Sequence, residues 1–190
     1  MELLTATKEQ VFDLFNSGLE KEINSEGARN YIAKVMTGMV DFKTKLNEDE
    51  AIGMQIWKAY DKDIFLALSS LRTIADSLLF ICGFFPEYFV NVYKRRTVGL
   101  DYYLEEGKTA YNGTGHILTK KRVLKLSPGL MFELSDNFID YTNAIFNFRN
   151  SLNEKMIPKD VNILRKLYSA TKNNAILNYE QTRNLRFLVK

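Results

Sequence analysis

The segment 64–85 constrains this chain most. In "IFLALSSLRTIADSLLFICGFF" the residues Ile64, Leu68, Leu71, Ala75 and Leu78 recur at steps of four, three, four and three. That spacing lines up one face of an α-helix. From Ser77 to Phe85 no residue is charged, and from Leu78 onward apolar side chains cover every side. A helix that is apolar all round lies among other helices or in a membrane. The uncharged run is nine residues long, well short of the roughly 20 that a membrane span needs. We therefore expect the central helix of a bundle and no transmembrane segment. Gly83 and Pro86 are expected to end it, because proline lacks an amide hydrogen and disfavours helical geometry in the residue before it. A short aromatic helix, "PEYFVNVYKRR", should follow.

The rest of the chain also reads as helices. "TKEQVFDLFNSG" places Val11, Leu14 and Phe15 on one face, with Gly18 as a stop. A second helix starts near Ser25 and spaces Tyr31, Ile32, Val35, Met36 and Met39 helically. "NEDEAIGMQIWKAY" begins with acids that suit a positive helix end, then puts Ile52, Ile56 and Trp57 on one face. A helix from about Asp101 has a weak point at Gly107 and a break or loop at "NGTG", 112–115. Ser127 before Pro128 is an N-cap followed by a first helical residue. From there one stripe runs through Leu130, Leu134, Phe138, Tyr141, Ile145 and Phe148. Pro158 should open a further helix, and 173–190 is either a frayed helix or a less ordered tail. The expectation is an all-α, single-domain bundle of seven or eight helices spanning 1–190.

Size and composition agree with that. A chain of 190 residues buries roughly 70% of its unfolded surface on folding, and 13 Phe and 10 Tyr supply a large core. Cys82 is the only cysteine, which excludes an internal disulfide and a thiolate cluster and suits a reducing, cytoplasmic setting. The opening "MELLTATKEQVFDLF" has acids where a signal peptide has a basic region, so no such export signal is expected. Net charge is only +3, too small to point to nucleic acid. Its distribution is uneven, with eight basic and three acidic residues in 151–190, a segment that could meet an acidic partner or simply face water.

Chemistry-bearing patterns fail one after another. A ferritin-like dimetal site needs Glu-x-x-His on two helices, but His116 is the only histidine and Gly113 stands three residues before it. His116, within "NGTGHIL", reads as a loop or cap residue. Cys82 sits in "LFICGFF", where apolar surroundings raise a thiol pKa. "GKT" at 107–109 ends like a P-loop, yet position 102, which should be glycine, is Tyr102. No catalytic, metal or cofactor-binding residue is assigned, and no cofactor is expected.

Two constellations could bind. Phe84, Phe85, Tyr88 and Phe89 lead into Lys94, Arg95 and Arg96, an aromatic and basic stretch suited to a protein partner or a membrane interface, or else core followed by a basic helix end. Tyr102, Tyr103 and Tyr111 could line a small-molecule pocket between helices, or simply pack in the core.

The block from Asp76 to Tyr111 resembles a pattern in a family of all-helical bacterial proteins with no known activity. An Asp precedes an apolar run ending Gly-Phe-Phe, and a basic pair leads to Asp-Tyr-Tyr, Gly and Ala-Tyr. Here these are Asp76, Phe80, Gly83, Phe84, Phe85, Arg95, Arg96, Asp101, Tyr102, Tyr103, Gly107, Ala110 and Tyr111. The resemblance implies no catalytic residue. Glycines and aromatics without a nucleophile are what close helix packing asks for: Gly83 and Gly107 would let helices approach, and Asp76 would cap or bridge backbone amides. Frequent Asn and Lys also suit an AT-rich bacterial genome.

The expected function is a non-enzymatic protein-binding module of the bacterial cytoplasm: an adaptor, chaperone or regulatory subunit. An exposed aromatic face would also invite a homodimer. The alternatives are a small-molecule-binding or unusual enzymatic bundle with a pocket near Tyr102 and Tyr103, and a peripheral membrane protein using residues 84–96.

Overall fold

The periodicities translate into helices almost one for one. The computed structural model describes residues 8–39, 46, 50–86, 99–121 and 126–152, and these form an all-α bundle of seven helices with no strand among them. They are α1 (Lys8–Gly18), α2 (Glu26–Met39), α3 (Ile52–Tyr60), α4 (Ile64–Phe84), α5 (Leu100–Lys121), α6 (Pro128–Asp136) and α7 (Phe138–Ser151). The expected helices in 86–96 and from Pro158, and the tail 173–190, lie outside the described residues.

Helix α4 is the hub. It packs against α2, α3, α5 and α7, while α5 also carries α6. Its start is set by Asp63, whose carboxylate accepts from the amides of Phe65 and Leu66 at 3.1 and 3.2 Å, satisfying two donors that a helix leaves unpaired. Every residue from Ser77 to Phe84 is buried, as a run apolar on all sides requires. One expectation needs correcting. α4 has 21 residues and a mean hydropathy of 1.7 over its most apolar window, so by length and composition it is a helix that meets the requirement for crossing a bilayer. Counting only the uncharged run missed this, because Arg72 and Asp76 interrupt it. Half of that window is buried inside the protein, and a core helix has the same apolarity.

Glycine is where sequence and structure part. α4 ends at Phe84, between Gly83 and Pro86 as expected, but "NGTG" does not interrupt α5, which runs unbroken from Leu100 to Lys121. These glycines are contact points. A β-carbon on Gly83 would lie 2.7 Å from Cβ of Ile145, and one on Gly115 would lie 2.7 Å from the Phe132 ring. Gly107 faces the ring of Phe138, Gly113 the hydroxyl of Tyr60, and Gly18 the ring of Phe148. Packing fixed from outside the helix outweighs the roughly 1 kcal/mol that each glycine costs within it. His116 accordingly sits on α5, exposed, with its ring edge-to-face with Phe132 at 5.2 Å, and is not in a loop.

The single stripe expected from Leu130 to Phe148 is divided between two helices. Ser127 caps the first as expected, its Oγ accepting from Leu130 N at 3.4 Å. At Asn137 the chain leaves helical geometry for one residue (φ −103°, ψ 19°). Tyr141 braces the step by donating to Glu133 Oε1 at 2.9 Å. Leu134, Phe138, Tyr141, Ile145 and Phe148 remain buried across the break. On α3 the buried face is Ile52, Ile56 and Ala59, and Trp57 is not on it.

Candidate functional site

Asp76 lies in the middle of α4, one position before the fully buried run. Its Oδ1 accepts two hydrogen bonds of 2.8 Å, from the Tyr31 hydroxyl of α2 and the Tyr111 hydroxyl of α5. The two phenol rings meet edge-to-face at 6.3 Å. Oδ2 lies 3.9 Å from Nε of Arg72, one turn earlier on α4. One carboxylate thus joins three helices. The sequence reading had Asp76 serving backbone amides, and the structure corrects this: its partners are phenols, brought from residues 45 and 35 positions away.

Burial governs the charge here. Loss of water raises the Asp76 carboxyl from 3.8 to about 6, against the hydrogen bonds from Tyr111 and Tyr31 and the charge of Arg72, which all favour the anion. Tyr31 and Tyr111 are held far above the ordinary phenol range, first by burial and then by the charge of Asp76. Both therefore remain donors throughout the range where proteins function.

The three tyrosines singled out in 102–111 do not converge on one pocket. Tyr111 is fully buried and turned to Asp76. Tyr102 lies nine residues earlier, roughly 13 Å along the helix. Its hydroxyl oxygen accepts from Gly53 N at 2.9 Å, and its O–H donates to Glu106, whose carboxyl is nonetheless held above its usual value by burial. Helix α3 has no side-chain cap of its own at Ala51, so Tyr102 supplies from α5 what its local sequence lacks. Tyr103 is buried, edge-to-face with Tyr102 at 5.2 Å.

In the aromatic and basic stretch, Phe84 belongs to the core. It is buried, stacked on Phe80 at 5.5 Å, and its carbonyl accepts from Arg149 at 2.9 Å. Phe85 is partly buried against both rings. Tyr88, Phe89, Lys94, Arg95 and Arg96 lie outside the described residues. Cys82 is buried, and burial pushes its thiol far above the usual range.

A surface that sequence reasoning missed lies on α3 and the first turn of α4. Trp57 is 60% exposed, Phe65 74% and Leu66 56%, and Met54 and Tyr60 are about half exposed. All five fall within 54–66. The adjoining lysines are engaged: Lys58 pairs with Glu50, and Lys62 donates to Ser70 Oγ at 3.0 Å. A signal was available. Phe65 and Leu66 fall off the stripe of Ile64, Leu68 and Leu71, and Trp57 stands next to Ile56, about 100° round the helix. A concavity of about 540 Å³ lies between α1 and α2, lined by residues that include Phe12, Asp13, Lys34 and Thr37. Among the described residues no three His, Cys, Asp or Glu side chains are grouped as a metal ion would require.

No known protein family, curated protein or solved structure matches this chain.

Proposed function

We propose that the protein is a non-enzymatic protein-binding module, an adaptor, chaperone or regulatory subunit, whose contact surface is the α3–α4 corner. The observation that carries this reading is the exposure of Trp57, Phe65 and Leu66 together with Met54 and Tyr60. Large aromatic and aliphatic side chains left in water are what partner proteins bury at their hot spots. Among the described residues, three groups that could do chemistry have structural surroundings. The Cys82 thiol is shut in the core, Asp76 is held by two phenols, and His116 lies against Phe132. The contact surface proposed is thus 54–66; of the 84–96 stretch, Phe84 is core, and the residues from 87 on lie outside the described residues.

The test uses the full chain and a Trp57→Asp, Phe65→Asp variant, each immobilised in lysate of the source cell. A partner held by the first and lost by the second is then purified and its affinity measured with both. A loss of tenfold or more supports the reading. Equal affinity for both, or binding only to lipid vesicles, overturns it. A second reading, small-molecule binding, is favoured by the groove between α1 and α2. A ligand retained in native mass spectrometry and lost on Phe12→Ala would favour it.

A further inference from the structure

Phe65, Ser69, Arg72 and Asp76 follow at steps of four, three and four along α4 and so share one face. That face is open at Phe65, Ser69 and Arg72 and closes over Asp76, where Tyr31 and Tyr111 arrive. The Arg72 side chain is 44% exposed and that of Asp76 16%. The two carboxylate oxygens have different partners: Oδ1 takes both phenolic hydrogens, and Oδ2 has Arg72.

We propose that Asp76 is a proton-operated switch for the surface of α4: as a carboxylate it draws Arg72 back along the helix, and as a neutral acid it releases Arg72 to solvent beside Phe65 and Ser69 while keeping both tyrosine bonds. The neutral carboxyl group still offers a carbonyl oxygen with two lone pairs, so Oδ1 can go on accepting from Tyr31 and Tyr111. The proton goes to Oδ2, the oxygen without a phenol. At 3.9 Å the link between Oδ2 and Arg72 Nε is longer than a hydrogen bond, so it rests on charge and weakens when the charge goes. Water then solvates the guanidinium.

The groups acting on Asp76 are Tyr31 from α2, Tyr111 from α5 and Arg72 from its own helix. Among the described residues α3 and α7, which also pack on α4, bring no charged side chain to Asp76; Arg149 of α7 is turned to the Phe84 carbonyl instead. The phenols do not titrate in the same range, so the proton is taken by the carboxyl, near pH 6. Each proton taken up adds one positive charge to the cluster beneath the open face. The switch does not depend on which partner meets that face, which shares Phe65 with the proposed contact surface.

A carboxyl-detected NMR titration of the isotope-labelled full chain tests this. The Asp76 carboxyl carbon is expected to titrate near pH 6, with the Arg72 Nε–H resonance moving at the same midpoint and both tyrosine hydroxyl bonds present on either side. Arg72→Gln should raise the midpoint, since it removes a cation that favours the anion. Asp76→Asn should leave the Arg72 resonance independent of pH. A midpoint near 4, the ordinary aspartate value, would overturn the switch, as would an Arg72 resonance that ignores the titration or tyrosine bonds lost on protonation. Should Asp76→Asn not fold, the wild-type titration and Arg72→Gln, a change at a substantially exposed side chain, still decide the matter.

Discussion

The ring of Phe138, on α7, occupies the space that a β-carbon on Gly107, on α5, would need. The same relation joins Gly83 to Ile145 and Gly115 to Phe132. The interior is therefore built on side chains seated directly against backbone, and glycine is a packing residue in its long helices.

Gly107→Ala makes the consequence measurable. Alanine favours a helix over glycine by about 1 kcal/mol, but overpacking a filled core costs roughly 1–3 kcal/mol, and here the obstacle is a buried ring. A net loss of up to about 2 kcal/mol in urea unfolding is expected. Gly38→Ala on α2, where a β-carbon meets nothing within 4 Å, should instead gain up to about 1 kcal/mol. If both substitutions stabilise, the packing account of Gly107 is wrong.

These contacts explain what the sequence could and could not disclose. Stripes such as Ile64–Leu68–Leu71–Ala75–Leu78 state their own structure, because periodicity is local and burial follows from it. The glycines at 107 and 113 mislead, since what fixes their role is a ring from α7 and a hydroxyl from α3. Asp76 could be singled out from its setting, but its partners Tyr31 and Tyr111 could not, because only the folded chain brings them together. Trp57 shows the reverse failure. Next to Ile56 in a short helix it looks like core, and only the packing of α3 on α4 shows that Ile52, Ile56 and Ala59 fill that face.

Asp76 should make stability depend on pH in an unusual direction. Its folded value, about 6, lies above the ordinary 3.8, so the folded chain binds the proton more tightly than the unfolded one. This group's contribution is then fully present below about pH 4 and is lost as pH rises through about 6. The difference is on the order of 3 kcal/mol. Asp76→Asn, whose amide oxygen can still accept from both phenols, should remove this dependence and be the more stable protein at about pH 8. Tyr111→Phe takes a donor from a charged acceptor and should cost roughly 1.5–3 kcal/mol at that pH. Urea unfolding of the three proteins across this range is the check. A wild-type chain that gains stability through the same interval, with Asp76→Asn flat, would contradict the assignment.

Tyr102 is predicted to hold the first turn of α3. Tyr102→Phe keeps the ring and removes the acceptor for Gly53 N, at a cost of about 0.5–1.5 kcal/mol. Amide exchange at Gly53 should quicken while the α4 interior, residues 77–84, keeps its protection. Unchanged exchange at Gly53 would show that the bond does not cap the helix.

Trp57 is the chain's only tryptophan, so it reports on the proposed contact surface without a label. Acrylamide quenching of its fluorescence in the purified full chain, before and after addition of the purified partner, tests the central claim most directly. The account predicts a water-exposed, readily quenched indole in the free protein that becomes shielded in the complex. An indole already shielded in the free monomer, or one equally quenchable in the complex, would contradict it.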